Sequence, residues 1–226
     1  MPKIAIVTTS IGTKEVFSKF FSSYAKLAIP EGSTVDFIII GDRNTPDHDF
    51  GSMQEYKDLT SKIKVHFVSA EAQQELMASK GYLADLIPWK RIQRRNIAYL
   101  ITYNAGYDLI ITVDDDNLPV DPEYIQEHLS QIESKPAKCY DSRDGSFEWV
   151  NPCFRLQKVI HRGFPIELRH KEPDIELVDC DGASIVMSEG FWLGDPDLDT
   201  ITRLDGNPEM TDVTDEDPEQ IVLSPN

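Results

Sequence analysis

The apolar stretch Leu109-Ile110-Ile111-Thr112-Val113 runs directly into Asp114-Asp115-Asp116. A run of that length, rich in β-branched residues, reads as a buried strand. Carboxylates at the carboxyl end of such a strand stand at the mouth of an α/β sheet, where sheets of this kind bind ligands. Three like charges held together repel, so they are expected to take up protons or to share a cation. Hard Mg²⁺ or Mn²⁺ suits carboxylate and phosphate oxygens. One reading of the triplet is therefore a carboxylate–metal–diphosphate site. The other is an acidic turn that caps a helix starting near Asp121.

The remaining sequence alternates in a way that suits this strand. Residues 3–8 read as a first strand. Val16, Phe17, Phe20, Phe21 and Tyr24 recur at helical spacing after it. Pro30-Glu31-Gly32 ends that helix, and residues 35–40 read as a second strand with a turn-rich loop behind it. Residues 63–68 are a weaker third strand, and Ser69 is placed to cap a helix reaching about Ser79. Pro88 is expected to open a longer helix, to about Asn104, with Gly106 as its stop. Asp121-Pro122-Glu123 begins a further helix, to about Ser134. Strands alternating with helices predict an α/β fold with a mainly parallel sheet flanked by helices. Residues 183–187 and 191–193 read as strands of a smaller mixed or antiparallel C-terminal part.

Residues 1–204 read as one domain. Residues 205–226 contain seven acids and no Lys or Arg, which reads as an acidic tail or the start of a missing C-terminal portion. Ile221-Val222-Leu223 looks like a strand lacking its continuation, so the chain is expected to be an N-terminal portion of a longer protein.

Charge narrows the partners. A net charge of −17 over 226 residues repels nucleic acid and anionic membrane. No run is long enough to span a bilayer, and the first residues lack the shape of a signal peptide. Cys139, Cys153 and Cys180 are odd in number and form neither a zinc pattern nor a disulfide framework. A reducing, cytoplasmic setting is the expectation. Within this acidic chain, Lys80, Lys90, Arg91, Arg94 and Arg95 cluster just before the aspartates. A helix starting at Pro88 would place Arg91 and Arg95 on one face, with Lys90 near the carboxyl end of the next strand. Such cations suit an anionic ligand such as a diphosphate; they also suit a solvated basic face. The five histidines show no metal-ligating spacing and read as surface or packing residues.

The segment RRNIAYLITYNAGYDLIITVDDDN, ending at Asn117, resembles the heart of nucleotide-sugar glycosyltransferases of the GT-A (Rossmann-like) fold, in which an Arg-Asn on a helix precedes a strand ending in a DXD motif. Downstream, RGFPIELR and GFWLGDPDLDTITRL are similar to segments of the reversibly glycosylated polypeptide family, the UDP-arabinopyranose mutases. The resemblance implies that Asp114 and Asp116 hold the metal, Mn²⁺ or Mg²⁺, and that Asp114 and Asp115 approach the nucleotide. It implies that Thr8 and Asp42, at the ends of the first two strands, hold base and ribose. Lys90 and Arg95 match basic positions of the family. Arg162 matches the arginine that carries the transferred sugar in the mutases, and Arg169 a second functional arginine. Asp197 and Asp199 match acids that face the sugar or the metal; a structural acidic turn fits them equally. An EF-hand is excluded there, because Thr200 and Gly206 stand where glycine and glutamate are required.

The implied function is metal-dependent glycosyl transfer from a nucleotide sugar, a UDP-sugar foremost, to an external hydroxyl or amine. In the mutase variant the acceptor is Arg162 or the diphosphate itself. A non-catalytic sugar-nucleotide-binding or assembly module is a rival, with oligomer formation left open. A glycoside hydrolase, with two carboxylates about 5 to 10 Å apart and no need of the basic cluster, is another.

Overall fold

The computed structural model describes residues 1–79, 86–133, 138–142, 149, 160–169, 175–179, 185–188 and 198–205. The chain divides into two compact units, Met1–Leu129 and Ser130–Asn226.

The first unit is built on four strands, β1 (Lys3–Thr9), β2 (Thr34–Ile40), β3 (Lys64–Val68) and β4 (Leu109–Thr112). All pairings are parallel, in the order β3-β2-β1-β4. Central strands of a parallel sheet are covered on both faces, which is why Ile4 to Val7 and Phe37 to Ile40 are unbroken apolar runs. Alternation divides them. On one face, α1 (Lys14–Tyr24) delivers Phe17, Phe20, Phe21 and Tyr24, all buried. The rings of Phe20 and Tyr24 lie 5.1 and 5.2 Å from that of Phe37. On the other face, Ala5, Val7, Ile38 and Ile40 join Met77 of α3 (Ala70–Ala78) and Ile97 and Ala98 of α4 (Asn96–Asn104) in one cluster. A mainly parallel sheet flanked by helices is thus the observed architecture, as the alternation predicts.

Local signals hold at several ends. The Ser69 hydroxyl accepts from the Ala72 N–H and caps α3. Gly106 adopts φ 66° just after α4, the left-handed turn that stops a helix. α5 (Tyr124–Glu133) begins behind Asp121, whose carboxylate accepts from the Glu123 N–H at 2.7 Å.

One expectation is corrected. Pro88 does not open a long helix. Trp89 and Lys90 form a turn, Lys90 at φ 57°, and a 3₁₀ turn over Ile92–Arg95 leads into α4. Tertiary bonds override the helical signal: the Lys90 N–H donates to the Asp42 carboxylate at 2.7 Å, and Arg94 is pulled inside. Arg91 and Arg95 therefore do not share a helical face. The short α2 (Gln54–Thr60), with Leu59 as its buried residue, was not foreseen.

In the second unit, β5 (Lys138–Ser142) and β6 (Ile175–Asp179) form an antiparallel pair. His161 and Leu198 make an isolated antiparallel bridge, and α6 spans Thr200–Asp205. An antiparallel element exists, but not where expected. Residues 185–187 are not strand, while 183–184 and 191–193 lie outside the described residues, as do 206–226. Among the described residues no helix is long and apolar enough to cross a membrane.

Phe37 is fully buried at the centre of β2. Phe37→Ala should destabilise the protein by about 3–5 kcal/mol, read as a lowered urea midpoint at unchanged m-value.

Candidate functional site

The strand order reverses direction between β1 and β4: the chain builds outward from β1 through β2 to β3, then returns to β4 on β1's other side. The loops leaving β1 and β4 stand side by side there at the carboxyl edge, the place where sheets of this type take ligands. The β4 loop carries Asp114, Asp115 and Asp116.

That loop is a closed turn. The Asp114 N–H donates to Asn117 Oδ1 at 3.0 Å, and the Asn117 N–H returns to the Asp114 carbonyl at 3.1 Å. The three carboxylates have different surroundings. Asp114 is paired with the Arg95 guanidinium through Nη2 and Oδ1. Asp115 accepts from the Ser10 hydroxyl at 2.5 Å, and Ser10 Oγ in turn accepts the Gly12 N–H at 2.9 Å. Asp116 is exposed. The Asp114 side chain is 46% exposed, so solvent screening holds its ion pair to about 1 kcal/mol. Ser10 is buried, and its bond to a carboxylate is the stronger, about 1.5–3 kcal/mol.

The β2 loop supplies the neighbouring wall. Asp42 uses both carboxylate oxygens on backbone donors, the N–H of Arg43 at 2.6 Å and of Lys90 at 2.7 Å. Thr45 closes the loop, accepting from the Asp42 N–H at 2.6 Å and donating to the Ser10 carbonyl at 2.8 Å. The β1 and β2 loops are thereby tied together. Beneath them lies Arg94, 2% exposed. Its guanidinium donates twice to Gln73 Oε1 and once, at 2.9 Å, to the Ile87 carbonyl. It also lies 3.7 Å from the Trp89 ring centroid, with Arg43 at 4.5 Å from the same ring. Burial pulls the Arg94 pKa down, opposed by the charge of Asp42. The Gln73 amide passes the linkage on to the carbonyls of Gly41 and Val68 at 2.7 and 2.9 Å.

Of the residues singled out by sequence, Asp42, Lys90, Arg95, Asp114, Asp115 and Asp116 belong to this carboxyl edge. Lys90 contributes its backbone N–H to the framework and leaves its ammonium exposed. Thr8 is fully buried and its hydroxyl donates to the Thr9 carbonyl at 3.3 Å; the first exposed residue beyond it is Ile11. Sequence reasoning missed Ser10, Gln73, Trp89, Asn117 and the inward course of Arg94. Asn117, three residues after Asp114, carried a usable signal, because asparagine closes turns through its side chain.

The second unit holds the other singled-out residues. Arg169 pairs with Asp199 through Nη1 and Oδ2, and its Nη2 lies 3.2 Å from Thr202 Oγ1. Asp199 Oδ1 accepts the Thr202 N–H at 2.6 Å, which makes it the N-terminal cap of α6. Burial acts to raise the Asp199 pKa, but the Thr202 bonds and the Arg169 charge outweigh it and hold the carboxyl below its ordinary value. Arg162 is exposed in a turn before Gly163, whose φ is 88°. Asp197 lies outside the described residues.

The donors of the acidic turn are hard carboxylate oxygens, the kind that divalent Mg²⁺ or Mn²⁺ prefers. Among the described residues no group of three or more His, Cys, Asp or Glu side chains converges on one point. A closed all-protein cage therefore does not fit. An Mg²⁺-type ion needs only one or two carboxylates when phosphate oxygens complete its shell, a smaller demand that the carboxylates of this turn are numerous enough to meet. A separate apolar groove of about 260 Å³, lined by Leu76, Met77, Leu100, Ile101, Asn104 and Ala105, carries no charged group suited to a diphosphate.

No protein-family model matches the chain, and no curated protein matches it. Among solved structures it is similar to residues 1–349 of TarS from S. aureus. The TarS structure in complex with UDP-GlcNAc aligns at 17% identity and TM-score 0.39, over 67% of this chain and 38% of that one. A second structure of the same TarS residues aligns at 16% identity and TM-score 0.39, over 80% of this chain and 47% of that one. The chain thus spans less than half the length of these structures, and at that TM-score the likeness carries no functional weight.

Two outcomes follow from this geometry. A Cβ on Gly12 would stand 2.9 Å from both Ser10 Oγ and Val16 Cγ1. Gly12→Ala should therefore dislodge Ser10 from Asp115 and lower stability by about 1–3 kcal/mol in thermal melts. The second concerns acid. Because the folded Asp199 carboxyl titrates below 3.8, its pairing stabilises the fold above that pH and is lost as pH falls through the folded value. The melting-temperature advantage of wild type over Asp199→Asn should be full near about pH 5 and shrink toward about pH 2.

Proposed function

We infer that the first unit binds a nucleoside diphosphate sugar, a UDP-sugar, at the carboxyl edge of its sheet, and that the protein is a metal-dependent glycosyltransferase. One observation carries this reading: an acidic turn lies at the point where the strand order reverses, with a cation, Arg95, against its first carboxylate. A glycoside hydrolase needs no such cation beside its acids, and neither does an acidic turn that only caps a helix.

The chemistry asked of the site is departure of a nucleoside diphosphate from the anomeric carbon. Negative charge grows on the diphosphate as that bond breaks, and fixed positive charge aimed there lowers the barrier. Asp114 and Asp116 would hold Mn²⁺ or Mg²⁺, which when bound supplies Lewis-acid stabilisation of the leaving group. Arg95 orients Asp114 and brings positive charge to the turn. Asp42 retains lone pairs beyond its two backbone bonds and can accept from a ribose hydroxyl. Lys90 and Arg91, both exposed beside the Asp42 loop, draw the anionic donor toward this edge in an otherwise acidic protein.

The test is calorimetric titration of UDP-, GDP- and dTDP-sugars with and without Mn²⁺ into wild type and Asp116→Ala. Wild type should bind a UDP-sugar more tightly with the metal. The variant should lose about tenfold or more of that metal-dependent affinity, the size of one charged contact. Equal binding by the variant in the presence of metal would overturn the assignment of the site. Tight binding with no release of UDP under any acceptor would instead make this a binding module.

A further inference from the structure

We propose that Tyr24, a core residue of α1, is a positioning residue for the acidic turn, and that its hydroxyl sets where the carboxylates stand. The proposal rests on the functional reading above for its consequence in binding, and on geometry for its mechanism.

Tyr24 is 1% exposed, yet its hydroxyl reaches across 93 residues of sequence to donate to the Asn117 carbonyl at 3.1 Å. Asn117 is the residue that closes the turn, through its side chain to the Asp114 N–H and through its own N–H to the Asp114 carbonyl. The Tyr24 ring cannot drift. It lies 4.5 Å from Phe20, 5.2 Å from Phe37 and 6.4 Å from Tyr124, centroid to centroid. Sheet, helix and turn are thus joined in one line: β2 places Phe37, Phe37 places the Tyr24 ring, and the Tyr24 hydroxyl places Asn117.

Ser10 fixes the same turn from a second direction through Asp115. Two bonds from two elements locate a short loop far better than one. Burial also raises the Tyr24 pKa, so the hydroxyl keeps its proton and remains a donor throughout the physiological range. A phenylalanine at this position would pack equally well and could not make the bond. The hydroxyl is therefore the informative part of the residue.

Tyr24→Phe tests the idea, with Leu59→Ala, at a buried residue of α2 outside the Tyr24 ring cluster, as a control that lowers stability and leaves the hydroxyl in place. Two readouts apply: hydrogen exchange at the Asp114 and Asn117 amides in the ligand-free protein, and calorimetric binding of UDP with and without Mn²⁺. In Tyr24→Phe both amides should exchange about 5- to 10-fold faster, and Mn²⁺-dependent UDP affinity should fall by a similar factor, the equivalent of one lost hydrogen bond. Metal-free UDP binding should not change. Leu59→Ala should lower the melting temperature and leave metal-dependent affinity within about twofold of wild type, its lost packing acting on global stability alone. Wild-type exchange and wild-type affinity in Tyr24→Phe would overturn the proposal while leaving the functional reading intact. Faster exchange with undiminished affinity would reduce Tyr24 to a structural role and overturn it too. If wild type binds no UDP with Mn²⁺, the functional reading fails and the positioning role fails with it.

Discussion

The hydrogen-bond ladder that β1 makes on both its edges governs the rest of the first unit. Lys3 to Thr9 pairs with β2 along its whole length and with β4 over Ile4 to Val7. A strand engaged on both sides can pass its chain onward only from its ends. The connections must therefore lie over the faces, where α1 covers one side and α3 and α4 the other. The loops at the carboxyl ends of β1 and β4 then leave the sheet side by side, and side chains on those two loops become neighbours whatever their distance in sequence. Ser10 and Asp115, 105 residues apart, meet for this reason.

Charge is handled differently at each depth of that edge. Buried Arg94 faces neutral acceptors and an indole, and its donors are satisfied by Gln73 and the Ile87 carbonyl. Half-exposed Asp114 faces a full countercharge from Arg95. Exposed Asp116 faces water. The gradient runs from buried framework to solvent, and it separates three adjacent aspartates that look equivalent on paper.

Much of the first unit was legible because its signals are local or periodic. Phe17, Phe20, Phe21 and Tyr24 announce one helical face, Ile4 to Val7 a strand covered on both sides, and Ser69 and Gly106 their helix ends. Asp114 to Asp116 were placed at the sheet edge by the same reasoning. The failures have a common cause. Pro88 and the residues after it carry a helical signal, but a long-range bond from Lys90 to Asp42 and the burial of Arg94 decide the backbone there, and neither is written in spacing. Gln73 and Tyr24 looked like ordinary helix residues because their polar groups act at a distance of dozens of positions. The pairing of Arg169 with Asp199, 30 positions apart, is likewise one that sequence separation conceals.

Lys90 adopts a left-handed backbone, and it is the main-chain amide that Asp42 captures. The ammonium group has no part in that joint. Acetylation of this lysine, which removes its charge, would thus alter the electrical character of the rim without unfastening the loop beneath it. Structural support and surface charge are carried by one residue yet remain separable. A site organised in this way can change the ionic preference of its entrance and keep its shape.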